Sequence, residues 1–303
     1  MPATPSDYRL DPGQIIIPDM SDEHRQTRQR FDAIAEEYDR HAVVQREVAA
    51  RLLERLDDLK FTPATILDLG CATGQQATAL RQRFPKARIL ALDSARRMFD
   101  RARRRRGRWR RRFELIAGDA QALPLADASV DLVVASMTLE WCHDPERALQ
   151  SLRRIVRPAG LLLLATTGPD THRELHRMLA STPGTITGGK LIHAMQLGDT
   201  LTRAGFQEPV VDTDWLTSTH DTLAALIEDL QQTGTAISPN LDIDELSRHY
   251  RSHRNQAGHY PLTWEIVYAS AWAPDEGQPI RTGAGEEASI SPGNIPIRTR
   301  SRT

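Results

Sequence analysis

The sequence predicts a protein of the α/β class, built on a doubly wound, mostly parallel sheet of seven strands with helices on both faces. Short apolar runs alternate with helical segments across residues 62–168, which is typical of such sheets. The first apolar run, residues 65–69, passes directly into the glycine-rich turn at 70–74. A buried parallel strand that enters a tight turn and then a helix has this pattern.

The elements follow in order along the chain. Residues 22–60 are helical, because apolar side chains recur at helical spacing. The seven strands are predicted at 65–69, 87–93, 113–117, 130–135, 161–166, 209–215 and 263–272. Residues 1–21 are rich in proline and 274–303 in proline, glycine and arginine, so we expect flexible segments on either side of a folded domain at 22–273.

The turn after the first strand has the chemistry of a ligand site. Gly70 and Gly74 allow a ligand to approach the backbone, and the helix that follows offers free N–H groups. Ala72 stands where a middle glycine is common, which is tolerable if this residue keeps a negative φ. The spacing matches neither a dinucleotide fingerprint nor a phosphate-binding loop, because no Gly-Lys-Ser/Thr follows.

Three carboxylates end three successive predicted strands. They are Asp68, Asp93 and Asp119. Any one of them could be a helix cap or a solvated turn residue, but three at one edge of a sheet indicate a binding site, which in such sheets lies outside the carboxyl ends of the strands. Asp93 is placed to accept hydrogen bonds from two ribose hydroxyls.

The composition is that of an ordinary globular protein. The chain has 303 residues, of which 40% are hydrophobic and 26% charged, with a net charge of −1 that favours no class of partner. No apolar run is long enough to cross a membrane, and no apolar secretion signal is visible. The two cysteines, Cys71 and Cys142, lack pairing or metal spacing, so we expect a cytoplasmic protein.

The strand, turn and acids resemble motif I and the following strand ends of the S-adenosylmethionine-dependent methyltransferases, whose sheet is Rossmann-like with helical lid insertions. This resemblance implies S-adenosylmethionine as the cofactor, with Asp119 meeting the adenine amino group and with Met137 facing the cofactor. The cofactor-binding residues that it implies are Asp68, Gly70, Cys71, Ala72, Gly74, Asp93, Ser94, Asp119, Ala120 and Ser136.

Further segments narrow the resemblance. The Tyr38-Asp39 helix, the turn at 168–171 and the strand around 265–268 resemble the malonyl-acyl-carrier-protein O-methyltransferases of biotin biosynthesis, over residues 28–273. This implies methyl transfer to the free carboxylate of malonyl-acyl carrier protein, giving the malonyl methyl ester that starts the pimeloyl chain. Malonyl-CoA is a second candidate substrate. We expect no membrane or nucleic-acid partner.

The implied chemistry is simple. A malonyl carboxylate is ionised at pH 7, so no general base, covalent intermediate or metal is required. The site must hold the carboxylate oxygen near the methyl group and remove its water. The substrate side is expected at 22–60 and 169–260, with 169–200 as a lid. Its candidate residues are Tyr38, which would close over the cofactor, Gln45, Arg173 and His193, with His172 and His176 beside them.

Several positions depart from the pattern of this family. Ala72 and Ala159 replace glycines, Glu140 stands where glutamine is usual, and Met195-Gln196 replaces the expected His-Asp. The cofactor acids are intact. Alternatives therefore stay open: a methyltransferase acting on another carboxylate, a small molecule or RNA, and a non-catalytic protein with the same fold.

An arginine-rich run covers residues 96–112, with eleven arginines in seventeen positions. We interpret it first as a solvated helix face. Docking of an acidic acyl carrier protein is the second interpretation and RNA binding the weakest.

Overall fold

The computed structural model describes residues 22–57, 59–107, 112–179, 185–278, 280–282 and 285–287. The predicted N-terminal segment, 1–21, lies outside the described residues. Within the predicted C-terminal segment, 274–303, two short strands pair antiparallel at 280–282 and 285–287, and 288–303 lie outside the described part.

The described chain contains eleven strands. They are β1 (Thr65–Leu69), β2 (Arg88–Asp93), β3 (Glu114–Ala117), β4 (Val130–Ser136), β5 (Val156–Thr167), β6 (Ile186–Thr187), β7 (Gln207–His220), β8 (Ala236–Ile237), β9 (Tyr260–Trp272), β10 (Ile280–Thr282) and β11 (Gly285–Glu287). Seven of these strands form the main sheet in the order β3-β2-β1-β4-β5-β9-β7.

Ten α-helices accompany the strands over the same described ranges. They are α1 (Asp22–Ile34), α2 (Tyr38–His41), α3 (Val43–Glu54), α4 (Gln75–Arg83), α5 (Arg96–Arg105), α6 (Pro145–Ile155), α7 (Arg173–Leu179), α8 (Ala194–Arg203), α9 (Leu223–Gln231) and α10 (Ile243–Tyr250). A 3₁₀ turn, Leu139–Trp141, follows β4. No helix in these described ranges is long and apolar enough to cross a membrane.

Strand β1 lies inside the sheet and pairs parallel with both β2 and β4, for example Ile66 with Ile89 and with Leu132. The chain therefore runs outward from β1 through β2 to β3, then returns to the other side of β1. That reversal leaves a crevice at the carboxyl ends of β1 and β4, where ligands bind in doubly wound sheets. Strands β1 to β5 pair parallel, whereas β9 pairs antiparallel with both β5 and β7 and so is the one reversed strand among the described strands of this sheet. The predicted mostly parallel sheet of seven strands is therefore confirmed.

The two faces of the sheet bury different helices, because alternate strand residues point to opposite sides. Ile66 packs in a core with Val48 and Leu52 of α3, whereas its neighbour Leu67 packs in a second core with Leu149 of α6. All of these side chains are essentially fully buried. Each such apolar side chain contributes roughly 1.5–3 kcal/mol through burial, so both helical layers hold the sheet in place.

Several boundaries differ from those predicted, and strand β5 begins at Val156 rather than at 161. The helical region at 22–60 divides into α1, α2 and α3, and α2 carries Tyr38. Strands β7 and β9 extend well beyond the predicted 209–215 and 263–272, and they pair from Gln207 with Trp272 to His220 with Tyr260. The extra part of β7 is rich in threonine and serine. Half-buried and exposed residues alternate along it, as expected for a strand at the edge of a sheet. Hydropathy alone therefore does not identify this part as a strand.

Candidate functional site

The first cavity lies at the carboxyl ends of the central parallel strands and has a volume of about 750 Å³, part of it open to solvent. Seven of the ten predicted cofactor residues line it. They are Gly70, Ala72, Asp93, Ser94, Asp119, Ala120 and Ser136. The structure thus brings together residues that the sequence separates by 66 positions.

The backbone of the glycine-rich turn enters this cavity. Gly70 has φ +69°, and a Cβ built on it would lie 2.2 Å from Oγ1 of Thr138, so no other residue fits there without displacing its neighbour. The condition of a negative φ at Ala72 is not met, since its φ is +45°. The N–H groups of Gly70 and Cys71 donate to the Leu92 carbonyl, both at 2.9 Å, and Asp93 accepts the Ala72 N–H, so tertiary contacts fix the turn.

Asp93 connects β2 to that turn. Its Oδ2 accepts the N–H of Ala72 and its Oδ1 accepts the N–H of Ala95, each at 2.8 Å. Burial raises the pKa of the carboxyl to about 6, although these backbone donors oppose the effect. Each carboxylate oxygen has a further lone pair, so Asp93 can accept two more donors from a ligand in the cavity.

Asp119 and Ser136 supply further polar groups. Oδ1 of Asp119 accepts the N–H of Gln121 at 2.9 Å, and its Oδ2 lies 3.4 Å from Nδ1 of His24 on α1. The hydroxyl of Ser136 is buried and has no hydrogen-bond partner among the described residues. A buried hydroxyl without a partner is costly, so a polar ligand in this cavity would relieve it.

The remaining three cofactor candidates stand behind the wall of the cavity. Asp68 and Cys71 are buried and Gly74 has φ +81°, but none of them lines the space. Asp68 accepts a hydrogen bond from Nε2 of Gln76 at 2.9 Å. Burial raises its pKa to about 7. Its side chain therefore ties β1 to α4 under the turn.

A second cavity of about 700 Å³ adjoins the first. The residues that line both cavities are Tyr38, Met137 and Trp141. These three form a common wall between the two spaces. Met137 has φ +49°, an uncommon conformation for a side chain of this size, and such strain concentrates at functional sites.

The substrate-side candidates separate into two groups. Tyr38 and Gln45 line the second cavity, and so do His172 and His176. Arg173 and His193 do not line it. Arg173 is exposed beside Asp170 and Glu174, with nitrogen-to-oxygen distances of 3.8 and 3.6 Å.

The segment 169–200, predicted to form a lid, supplies part of the lining of the second cavity. Eight residues of this segment line the cavity, and residues 180–184 lie outside the described part. The eight are Thr171, His172, Leu175, His176, Ile186, Gly188, Gly189 and Leu191. No lysine or arginine is among the described residues that line the cavity.

Glu140 lines the second cavity, although the sequence marks it only as a departure from the pattern of the family. Only 3% of the residue is exposed. Burial raises the pKa of its carboxyl to about 7. His172, also buried, has an Nε2 without a partner among the described residues, and burial lowers its pKa to about 3. His172 is therefore uncharged near neutral pH, and a substantial share of Glu140 carries a proton.

Helix α2, which carries Tyr38, is fastened to the glycine-rich turn. Asp39 accepts hydrogen bonds from Nε2 of Gln75 at 2.8 Å, from the hydroxyl of Thr73 and from the guanidinium of Arg105. Burial alone would raise the pKa of Asp39, but these donors outweigh it and hold the pKa below its usual range. The aromatic ring of Tyr38 is thus held over the boundary between the two cavities.

Comparison with known proteins agrees with this geometry. The family described as "Methyltransferase domain" matches residues 67–164. The malonyl-[acyl-carrier protein] O-methyltransferase of Xylella fastidiosa is 39% identical over 283 residues, which cover 90% of this chain and 96% of the relative. The chain belongs to the malonyl-[acyl-carrier protein] O-methyltransferase family. The family member of Halorhodospira halophila is 36% identical, over 92% of this chain and 97% of its own.

Solved structures support the fold of this O-methyltransferase family member. The YcgJ protein of Bacillus subtilis has a TM-score of 0.57 at 14% identity, covering 76% of this chain and 99% of its own. A chain in the complex of the Haloferax volcanii Trm112 methyltransferase activator has a TM-score of 0.56 at 20% identity, with coverages of 83% and 99%. The predicted fold and the prediction of a methyltransferase enzyme are confirmed.

The sequence predicts S-adenosylmethionine as the cofactor of this methyltransferase. The first cavity fits such a group: it combines a glycine backbone with no room for a side chain, buried carboxylates and a hydroxyl that lacks a partner.

Proposed function

We propose that the protein transfers the methyl group of S-adenosylmethionine to the free carboxylate of malonyl-acyl carrier protein, giving the malonyl methyl ester from which the pimeloyl chain of biotin begins. The observation that carries this proposal is the common wall of Tyr38, Met137 and Trp141, which places a second cavity directly beside the first. The relatives named for this reaction support the choice of substrate.

The first cavity would hold the cofactor. We assign the ribose hydroxyls to Asp93 and the adenine amino group to Asp119, with Ser94, Ala120 and Ser136 lining the same space. The turn at Gly70 and Ala72 would face the cofactor with its backbone. Asp68, Cys71 and Gly74 would support that turn from behind. When bound, S-adenosylmethionine supplies a methyl group on a positively charged sulfur.

The second cavity would receive the malonyl group. A carboxylate that enters it must leave its water behind, which is costly unless donors replace that water. Tyr38 can serve as a donor, because burial together with the nearby carboxylates raises its pKa far enough for the hydroxyl to keep its proton. Gln45 and the threonines of the lining add further donors.

The chain's contribution to the rate would be positioning and the exclusion of water. No proton has to be removed from an ionised carboxylate, so the residues need only hold one of its oxygens in line with the methyl carbon. Because a negative and a positive charge neutralise each other in the reaction, a poorly hydrated cavity favours the transition state over the separated charges. The lining of the second cavity is mostly apolar, which favours this neutralisation of charge.

Acyl carrier protein is the proposed macromolecular partner, with coenzyme A as the alternative carrier of the malonyl group. Four arginines of α5 have exposed side chains and offer a positive surface to an acidic protein. They are Arg96, Arg97, Arg103 and Arg104.

Methyl transfer from radiolabelled S-adenosylmethionine tests the proposal. Malonyl-acyl carrier protein, acetyl-acyl carrier protein and malonyl-CoA would be compared as acceptors. Transfer to the malonyl but not the acetyl carrier supports carboxyl methylation. Binding of S-adenosylmethionine without transfer to either malonyl acceptor would overturn the proposed substrate.

A further inference from the structure

The two carboxyl oxygens of Glu140, in the second cavity, differ in their hydrogen bonding. Its Oε2 accepts a hydrogen bond from the hydroxyl of Thr166 at 3.0 Å, whereas its Oε1 is buried and has no hydrogen-bond partner in the described part of the chain. A buried carboxyl oxygen without a partner is unfavourable in the free protein. A ligand in the cavity that pairs with Oε1 would remove that cost.

The side chain is also held firmly. The 3₁₀ turn Leu139–Trp141 places it between β5 and the segment before α8. The Glu140 carbonyl accepts the N–H of Lys190 at 2.7 Å. A Cβ on Gly189 would lie 2.7 Å from Cγ of Glu140, so the absence of a side chain at 189 lets the segment close against it. The carboxyl group is therefore fixed before any substrate enters.

The charges around Glu140 do not neutralise it. Among the described residues it forms no ion pair, and the ammonium group of Lys190 donates to the carbonyl of His143 instead. The titratable groups that face this region from the surrounding elements are Tyr38 from α2, Cys142 after the 3₁₀ turn, Lys190 from the lid segment, and His172 and His176 at α7.

We propose that Glu140 positions the substrate carboxylate by donating a hydrogen bond from its own neutral carboxyl group, through Oε1. This inference rests on the proposed carboxyl methylation. This role makes Glu140 a specificity-determining residue. An acyl group that lacks a carboxylate leaves Oε1 without a hydrogen-bond partner among the described residues, as in the free protein.

The chemistry of two facing carboxyl groups supports this assignment. Two carboxylates in one buried site cannot both be ionised cheaply, so the pair shares one proton. The malonyl group arrives as an anion, and therefore Glu140 must carry the proton. Burial already raises the pKa of Glu140 to about 7, so this form is well populated at neutral pH.

A pH dependence follows with a definite sign. When the pH rises above the pKa of Glu140, its carboxyl ionises and repels the incoming carboxylate. The KM for the malonyl substrate should then increase about tenfold per pH unit, as expected for the loss of one required proton. The affinity for S-adenosylmethionine, which occupies the first cavity, should not follow this slope.

The experiment compares wild-type protein with Glu140→Gln and Glu140→Ala from pH 6 to 9, using malonyl-acyl carrier protein. Glutamine donates a hydrogen bond at every pH, so the variant should bind substrate with a KM that is flat across this range. The alanine variant should show a KM raised at least tenfold at pH 6.5. The dissociation constant of S-adenosylmethionine, measured in parallel, shows that each variant is folded.

His176 requires a control, because its imidazole lines the same cavity and can also interact with a bound carboxylate. His176→Gln should retain the wild-type slope. A flat profile in His176→Gln, or an unchanged slope in Glu140→Gln, overturns the role of Glu140. Absence of methyl transfer by the wild-type protein at any pH would instead overturn the proposed function, so the two failures are distinguishable.

Discussion

The guanidinium of Arg105 donates to the carboxylate of Asp39 at 2.6 Å and, through its other nitrogen, to the carbonyl oxygen of Thr73 at 2.7 Å. This arginine belongs to the run at 96–112, yet it is not part of a solvated face. It joins α5 to α2 and to the glycine-rich turn. One arginine of the run thus stabilises the site, whereas its neighbours at 103 and 104 are exposed.

Replacement of Arg105 should weaken cofactor binding. Arg105→Gln removes a charge-assisted hydrogen bond to a half-buried carboxylate, which is worth roughly 1.5–3 kcal/mol. We expect the dissociation constant of S-adenosylmethionine, measured by titration calorimetry, to rise about tenfold or more, because both the turn and Tyr38 lose an anchor. Arg104→Gln, on the exposed side of the same helix, is the matched control and should bind as the wild type does.

Asp93 is expected to be indispensable for cofactor binding. Asp93→Ala removes the acceptor proposed for the ribose hydroxyls and leaves the N–H groups of Ala72 and Ala95 unpaired. Calorimetry should detect at least a hundredfold weaker binding of S-adenosylmethionine. Asp127→Ala, at an exposed position that lines neither cavity, serves as control. Wild-type affinity in Asp93→Ala would refute the assignment of this carboxylate.

The exposed arginines of α5 should affect the carrier protein alone. Changing Arg96, Arg97, Arg103 and Arg104 together to glutamine should raise the KM for malonyl-acyl carrier protein severalfold at low ionic strength, with less effect at high salt, since exposed charges are screened. The KM for S-adenosylmethionine should stay constant. Arg105 is left intact in this variant because of its contact with Asp39. If the carrier-protein kinetics do not change at low salt, these side chains have no docking role.

Ala159 offers a test of stability. Its φ of +56° lies in the left-handed region, where a residue with a Cβ is destabilised by roughly 1–2 kcal/mol. Ala159→Gly should therefore raise the free energy of unfolding by about 1 kcal/mol in urea denaturation, even though glycine is more flexible in the unfolded chain. Ala33→Gly, at an exposed position inside α1, should lower it by a similar amount. A loss of stability in Ala159→Gly would contradict this conformation.

Asp68 should make the cofactor-free protein less stable as the pH rises. Its pKa is about 7 in the folded state because of burial, against 3.8 in the unfolded chain. The folded state therefore binds more protons than the unfolded chain between these two pKa values. The contribution of Asp68 to the stability of the folded protein is present below about pH 4 and is lost as the pH rises through 7. Asp68→Asn should remove this component from the pH profile of urea denaturation between pH 5 and 8. A profile parallel to that of the wild type would refute the raised pKa.

The strands and the three acids of the site could be predicted because their signals are local. Residues 65–69 form an apolar run that ends beside a turn, and Asp93 and Asp119 follow the next two strands directly. The parallel order of the strands then brings their carboxyl ends to one edge. Sequence periodicity and strand-end position are enough to place these groups.

Features fixed by long-range contacts could not be predicted in the same way. The positive φ of Ala72 depends on its hydrogen bond to Asp93, twenty-one positions later, so local preference for a negative φ is overruled. In the predicted lid segment, 169–200, the direction in which each side chain points depends on how the segment packs against the 3₁₀ turn. Glu140 therefore lines the second cavity, whereas Arg173, a better candidate by charge, stands outside it.

The wall formed by Tyr38, Met137 and Trp141 has a consequence for the way this enzyme can change. Each of the three side chains shapes both spaces, so a substitution that widens room for a longer acyl chain also alters the surface offered to the methyl donor. Acyl specificity and donor affinity are thereby linked traits. Redesign for a new acid would have to begin at residues that line one cavity only, such as Gln45 or Leu175. An inhibitor that extends across the wall would occupy the donor cavity and the acceptor cavity with a single molecule.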